Sequence, residues 1–305
     1  MPSGEPDATS DLDEVASAFV RLRPRLFGIA YRMLGDASEA EDLVQEVWLR
    51  WQNTDRAVVI HPAAFLATTI TRLAINVGQS ARARREAYVG PWLPEAVDTS
   101  ADPEVGAERG EALDLAVLLL LERLSPTQRA AYVLRDAFDY SYESIAEILQ
   151  LEEANVRQLV SRARKHLGEG RRAPVSADQH RRLLSAFLVA SQAGDFAALE
   201  GLFAADVVSV TDGGGVLGAA RVPVLGRARV AGFMANSARK FWPGTTVAWV
   251  EANGRAALLV SRADAALALL TIDASDAGIE QLLWIMSPSK LAAFARSLAG
   301  ARRPA

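Results

Sequence analysis

Apolar residues return at helical spacing from Val15 to Leu34, with Phe19, Leu22, Leu26, Ile29, Ala30 and Met33 on one face. Gly35 closes this run, and Asp36 with Glu39 three positions on gives a capping-box-like start to the next. There Val44, Val47, Trp48 and Trp51 form the apolar stripe; Glu39, Asp42 and Glu46 line another face, with Gln45 beside them. His61-Pro62 opens a third helical run, AAFLATTITRLAINV, that continues into GQSARARRE. Phe65, Leu66, Ile70, Leu73 and Ala74 are its inward set, and Thr69, Arg72, Asn76, Gln79, Arg82, Arg84 and Arg85 its polar and basic set. Gly78 weakens a helix interior by about 1 kcal/mol relative to alanine, which predicts a kink there. Residues 88–110 carry three prolines and five acids without sustained period and read as a linker. Trp92 and Leu93 inside it suit packing onto a folded surface better than free chain.

Leu113 to Leu124 reads as an apolar helix, and Ser125, Pro126 and Gln128 supply N-cap, N1 and N3 of the next, which runs to about Phe138. The four helices between Glu111 and Leu167 are expected to share one small core. Two of them form a pair: Tyr142 to Leu149, then a break at Gln150-Leu151, then Val156, Leu159, Val160, Ala163 and Leu167 at helical spacing. The open face of the second carries Asn155, Arg157, Gln158, Ser161, Arg162, Arg164 and Lys165, with no acid after Glu153. Two short helices joined by a tight break, the second basic on its open face, predict a DNA-binding helix-turn-helix. A helical hairpin with a solvated basic face is the plainer alternative.

Beyond a second linker the pattern changes. Helices over about Gln179–Ala193 and Phe196–Phe203 precede short apolar or alternating runs, VVSVTD, VAWVE, AALLVSR, ALALLTI and EQLLWIM. A helix over about Arg229–Phe241 lies among them and another, Leu291–Leu298, closes the chain. Helices followed by an antiparallel series of strands predict an α+β domain.

Composition narrows the chemistry. With no cysteine, disulfides, thiol nucleophiles and thiolate zinc sites are excluded, and His61, His166 and His180 show no metal-ligand spacing. No cofactor or metal is expected. No apolar run is long enough to span a bilayer and no leader is read, so a cytoplasmic protein without membrane contact is expected. The net charge of −4 hides a segregation: 18 basic and 27 acidic residues through Gly170, 15 and 10 after it. The bases crowd into Arg82–Arg85 and Arg157–Lys165, as in a protein that touches DNA at two places.

In this order the chain resembles a bacterial RNA polymerase sigma factor of the extracytoplasmic-function type. GDASEAEDLVQEVWLRW (35–51) resembles the helix these factors dock on the polymerase clamp. FLATTITRLAINV with its basic continuation resembles the −10-reading and melting segment, and LSPTQRAAYVLRDAFDYSYESIAEIL with ANVRQLVSRARKHL the −35-reading domain. YVGPWLPEAV (88–97), DGGG (212–215) and the α+β tail resemble the subgroup with a fused SnoaL-like, cone-shaped extension. Ala96 stands where that subgroup has proline, Ser287-Pro288-Ser289-Lys290-Leu291 stands for its Asn-Pro-Asp-Lys-Leu, and Gln150 and Glu152 replace a common glycine and a Ser or Thr cap.

The resemblance implies a multidomain chain: a flexible tail (1–14), a region-2-like helical domain (15–86), a linker (87–112), a region-4-like helix-turn-helix domain (113–168), a second linker (169–178) and a SnoaL-like regulatory domain (179–305). Core polymerase would meet Asp42, Gln45 and Glu46. The −10 strand would run along Arg72, Asn76, Gln79, Arg82, Arg84 and Arg85. Asn155, Gln158, Ser161 and Arg162 would face the −35 major groove, with Arg157, Arg164 and Lys165 on phosphates. Trp92, Leu93, Pro94 and Glu95 would meet Asp212, Gly213, Gly214 and Gly215 in a regulatory contact that makes a separate anti-sigma factor unnecessary; a plain hairpin turn is the alternative for the glycines. A stress-responsive, non-enzymatic transcription initiation factor follows. Two rival readings are a ligand-sensing DNA-binding regulator and an enzymatic C-terminal domain. Trp242, Trp249 and Trp284 are candidates to line a small-molecule pocket there. Asp206, Asp212, Asp264 and Asp273 lack a histidine partner for catalysis.

Overall fold

A computed structural model describes residues 8–55, 59–100, 114–168, 172–216 and 218–301. Parts of the expected tail (1–7) and linkers (101–113 and 169–171) lie outside the described residues. The described chain divides into two units, one of residues 1–82 and 124–166, the other of 83–123 and 167–305.

In the first unit, helix α1 spans Ala8–Leu34, so the segment expected as tail is helical from Ala8. Helix α2 (Ala37–Gln52) starts as its cap residues dictate, with Asp36 Oδ1 accepting from the Glu39 N–H at 2.8 Å. Phe19 meets Trp48 at 4.8 Å between ring centroids, joining α1 to α2, and Trp51 meets Phe65 of α3 (Pro62–Glu86) at 5.8 Å. Helix α3 runs through Gly78 as one element, and Gly78 faces Pro126.

Helix α4 spans Leu115–Leu121 and belongs to the second unit; α5 spans Pro126–Tyr132 and ends in a π-helical turn, Val133–Ala137. Helices α6 (Tyr142–Leu149) and α7 (Glu153–Gly168) follow. Ser125 and Ser141 cap α5 and α6 through their hydroxyls. Gln150 takes the left-handed conformation (φ 56°, ψ 47°) that ends α6 and turns the chain into α7. The segments flanking the linker share this unit. Arg129 Nη1 donates to the Met33 carbonyl at 2.6 Å, Arg25 Nη2 to the Phe138 carbonyl at 2.8 Å, and the Arg32 guanidinium lies 4.9 Å from the Phe138 ring.

The second unit is built on a six-stranded sheet in the order β2-β1-β6-β5-β4-β3, with β1 Phe203–Asp212, β2 Val224–Leu225, β3 Thr245–Ala252, β4 Arg255–Arg262, β5 Ala265–Ser275 and β6 Gly278–Ile285. Four of its five pairings are antiparallel, but β1 runs parallel to β6, which corrects the expected all-antiparallel series. Asn253-Gly254, both at positive φ (55° and 73°), make the tight β3–β4 hairpin. Alternation along the strands sends Leu258, Leu270, Leu282 and Trp284 to one face, where α8 (Ala177–Ala193), α9 (Phe196–Leu202) and α10 (Arg227–Phe241) pack. It sends Ala257, Leu269, Leu283 and Ile285 to the other, beneath α11 (Pro288–Ala301).

That second face also buries Leu93 and Ala96 of the linker and Leu115 and Ala116 of α4. Asp114 caps α4 and reaches Arg255 of β4 at 3.3 Å. The expectation that all four helices between residues 111 and 167 share one core is therefore corrected. Helix α4 is apolar all round, so no polar stripe in its sequence marks a solvent side or selects its partner.

Candidate DNA, polymerase and linker interfaces

Helix α7 buries Val156, Val160, Ala163 and Leu167 and leaves Asn155, Arg157, Gln158, Ser161, Arg162, Arg164 and Lys165 exposed. Several of these cations already have partners. Arg157 pairs with Glu153 and lies 4.5 Å over the Tyr142 ring; Arg164 donates to Asp136 Oδ1 at 2.9 and 3.1 Å. Arg162 donates to Gln158 Oε1 at 3.1 Å, which pre-orients both side chains on the open face.

On α2, Asp42 and Gln45 are exposed, and Glu46 accepts from Arg50 at 2.5 Å one turn on. On α3, Asn76, Gln79 and Arg84 are exposed, while the Arg82 side chain lies outside the described residues. Two members of the expected basic track are engaged elsewhere. Arg72 Nε donates to the Ile148 carbonyl at 3.0 Å and Nη2 to the Glu147 carbonyl at 3.4 Å, satisfying the last turn of α6. Arg85 pairs with Glu122 and stacks 3.8 Å from the centroid of the Trp92 ring. Charge and helical phase alone gave no sign of these partners.

The linker and the β1–β6 end of the sheet come together around one buried ion pair. Asp212 has no exposed side-chain surface and Lys290, on the first turn of α11, has 7%; Nζ and Oδ2 are 2.6 Å apart. The same Oδ2 accepts the Leu93 N–H at 2.9 Å, Oδ1 accepts the Tyr88 hydroxyl at 2.6 Å, and Lys290 also donates to the Leu93 carbonyl. Leu93 is thus gripped at both backbone groups. The Lys290 ammonium also lies 4.4 Å from the Trp92 centroid, so Trp92 takes cations from Lys290 and Arg85. Burial, reinforced by the hydrogen bond to Asp212 and by its charge, pushes the Tyr88 phenol up to about 12.

Farther along, the Val97 N–H donates to Asn253 Oδ1 (3.0 Å) and the Asn253 N–H returns to the Val97 carbonyl (2.9 Å). Thr99 Oγ1 donates to Glu251 Oε1 at 2.6 Å. Of the residues expected in this contact, Leu93, Pro94, Glu95, Asp212 and Gly213 are buried and Gly215 is exposed. Gly214 has φ +54°, and a Cβ there would sit 2.9 Å from Ser287 Oγ and 3.1 Å from the Tyr88 hydroxyl. Lys290, Tyr88 and Asn253 were missed as partners. Tyr88 and Lys290 stand inside the YVGPWLPEAV and Ser-Pro-Ser-Lys-Leu stretches that carry the resemblance, but neither is assigned to this contact there.

The three tryptophans named as pocket candidates separate. Trp242 and Trp284 line one cavity of the cone; Trp249 belongs to a polar cleft with Arg181, His180 and Arg255. His180 is buried there and donates from Nε2 to the Ile272 carbonyl at 3.1 Å; desolvation holds its pKa below the usual value. Among the described residues no cluster of three or more His, Asp or Glu side chains is placed to hold a metal ion, and no helix is long and apolar enough to cross a membrane.

A family model described as Sigma-70 region 2 matches residues 18–86, and one described as Sigma-70, region 4 matches residues 114–167. ECF RNA polymerase sigma factor SigJ of Mycobacterium tuberculosis is 38% identical over 234 residues, 75% of this chain and 74% of the relative. A probable ECF RNA polymerase sigma factor SigI of the same species is 34% identical over 190 residues, 61% of this chain and 66% of the relative. The crystal structure of the M. tuberculosis extracytoplasmic function sigma factor SigJ matches with a TM-score of 0.73 at 31% identity, covering 91% of this chain and 98% of that one.

Proposed function

Because the chain belongs to the extracytoplasmic-function RNA polymerase sigma factors, we propose that its SnoaL-like domain regulates it in cis through the linker clamp. It is an alternative sigma factor that directs RNA polymerase to promoters. Such a factor acts by binding, not by bond chemistry, and its partners are core polymerase and promoter DNA.

In this reading Asp42, Gln45 and Glu46 meet the polymerase, where charge complementarity sets specificity and on-rate more than affinity. Asn76, Gln79, Arg82 and Arg84 serve the −10 strand; Arg72 and Arg85 join them only after leaving their present partners. Asn155, Gln158, Ser161 and Arg162 read the −35 major groove, and Arg157, Arg164 and Lys165 hold phosphates. The clamp does the work of a separate anti-sigma factor, and the protein operates in the cytoplasm.

One observation carries the cis-regulatory reading: a buried Asp212–Lys290 pair spends its hydrogen-bonding capacity on a linker residue, Leu93. That residue belongs to the segment between the two sigma regions, so what the ion pair holds is the chain that joins them. Run-off transcription with core polymerase, comparing the full chain with Lys290→Met, tests it. The same promoters at a changed yield are expected; equal yields at equal core occupancy would refute cis control. Cutting after Ala173 is a less clean comparison, because it strips the partners of Leu115 and Ala116.

A further inference from the structure

The sheet ends at two edges that differ in kind. Strand β2 is two residues long, whereas β3 (Thr245–Ala252) runs for eight in unbroken register with β4. Its sequence, TTVAWVEA, holds no proline, lysine or arginine, and the strand has no bulge; these are the devices that keep an open edge from pairing. Thr246, Ala248, Trp249 and Glu251 are exposed. A two-residue turn, Asn253-Gly254, joins β3 to β4, so the flanking pair Ala252 and Arg255 is a hydrogen-bonded one. Alternation then points the backbone of Ala252, Val250, Ala248 and Thr246 toward β4, and that of Glu251, Trp249, Val247 and Thr245 outward.

The open stretch is bounded at both ends. The linker bridges Asp98 to Ala252, and its Val97 carbonyl accepts the Asn253 N–H at 2.9 Å. At the other end Gly244, at φ +70°, turns the chain, and the Thr245 N–H donates to the Trp242 carbonyl at 3.1 Å. Between these limits the outward main-chain groups of Val247 and Trp249 meet no partner among the described residues. The stretch left open is 245–251, and its midpoint is Ala248.

We infer that this edge pairs with the same edge of a second copy of the chain, antiparallel about a two-fold axis at Ala248. An isologous contact sets one residue against another and the second against the first. Full overlap of the open stretch sets Val247 against Trp249, Thr245 against Glu251 and Ala248 against itself. Outward residues then meet outward residues: each Val247–Trp249 pair exchanges two hydrogen bonds, and each Glu251 N–H reaches a Thr245 carbonyl. The side chains match as well. Small Ala248 lies at the axis, where facing side chains come closest. β-Branched Val247 meets aromatic Trp249, a favourable cross-strand pair. Glu251 of one copy lands across Thr245 from Arg262, the register partner of Thr245 on β4. Thr99 donates to Oε1 of that carboxylate, which leaves Oε2 for the guanidinium. An arbitrary extended peptide gains the backbone bonds without this match. The paired stretch is shorter than the about 20–30 residues a side of a standard interface, so a reversible, concentration-dependent dimer is expected.

The test uses the full chain, whose lack of cysteine makes the register readable. In Ala248→Cys the two thiols face each other at a non-hydrogen-bonded pair with Cα atoms about 4.5 Å apart, within disulfide reach, and mild oxidation should give a covalent dimer. Thr246→Cys, whose two copies lie roughly 13 Å apart along the strands, should give none. Sedimentation equilibrium of the unaltered chain should show monomer and dimer in exchange. Ala248→Lys, which sets two ammoniums face to face at an exposed position, should weaken the dimer roughly tenfold or more. Ala248→Glu should do the same, and an equimolar mixture of these two variants should associate again, which a misfolded variant would not. A chain that stays monomeric at every concentration would overturn the proposal and leave the edge to an extended segment of another protein. A dimer that Ala248→Lys does not weaken would overturn the edge, and equal cross-linking by Thr246→Cys would overturn the register.

Discussion

Replacing Lys290 by methionine removes an ammonium that is 7% exposed and leaves the fully buried Asp212 carboxylate 2.6 Å from where it stood. Losing one partner of a buried pair costs about 3–5 kcal/mol because the other charge stays behind. Here the Tyr88 hydroxyl and the Leu93 N–H still donate to that carboxylate, so the low end, about 3 kcal/mol, applies. The linker also loses the grip on the Leu93 carbonyl and one of the two cations on Trp92. At about 1.4 kcal/mol per tenfold, the opened-linker population rises on the order of 100-fold. Trypsin reports it, because Arg84 and Arg85 end α3 beside the clamp and Arg85 is held by Glu122 and Trp92. When reclosing outruns cleavage, the rate tracks the open population, so cutting after these residues should accelerate on the order of 100-fold. Asp212→Asn should accelerate it similarly, and the double variant by much less than the product of the two. A change below about threefold in Lys290→Met, with the far-ultraviolet spectrum intact, would show that the pair does not hold the linker.

Three further outcomes are expected. Gly214→Ala forces a Cβ into the Ser287 and Tyr88 hydroxyls at a left-handed residue, and should cost about 1–3 kcal/mol by denaturant melting of the C-terminal domain; Gly215→Ala, also at positive φ (86°) but with no atom within 4 Å of its Cβ, should cost the backbone strain without the clash. His180 titrates below its unfolded value, so the unfolded chain takes the proton first. Its contribution to stability is therefore full above the unfolded pKa and lost as pH falls toward the folded one; His180→Gln should flatten urea midpoints between pH 7 and 5. Arg162→Ala should weaken promoter binding by about 1–3 kcal/mol and relax selectivity at the −35 element in filter-binding assays, whereas unchanged selectivity would remove it from the reading set.

The open face of α7 was legible because a single amphipathic helix encodes both faces: whatever period 3.6 does not bury, it displays. The strands of the second unit were legible for the matching reason at period 2, although β2, two residues long, carries too little pattern to be seen. Trp92 and Leu93 announced a docked linker because such side chains are out of place in free chain, yet the stretch holding Lys290 gave no sign, 197 residues away, that its ammonium grips Leu93. Arg72 and Arg85 show the limit from the other side. A guanidinium on an exposed helix face looks the same whether it awaits a phosphate or a carbonyl, and only the tertiary neighbours decide.

The Arg72 hydrogen bonds to the end of α6 bear on how promoters are found. One side chain cannot stopper the carbonyls of the helix-turn-helix and hold a −10 phosphate at once. If Arg72 serves the −10 strand as proposed, the free factor enters any DNA encounter with part of its reading surface occupied, and its apparent affinity falls by the fraction of molecules in which Arg72 has let go. Polymerase that favours the released arrangement raises that fraction before DNA arrives. Promoter choice then becomes ordered in time, with enzyme first and sequence second, and the cell's supply of free core polymerase rather than of promoter sites sets how much factor is in play.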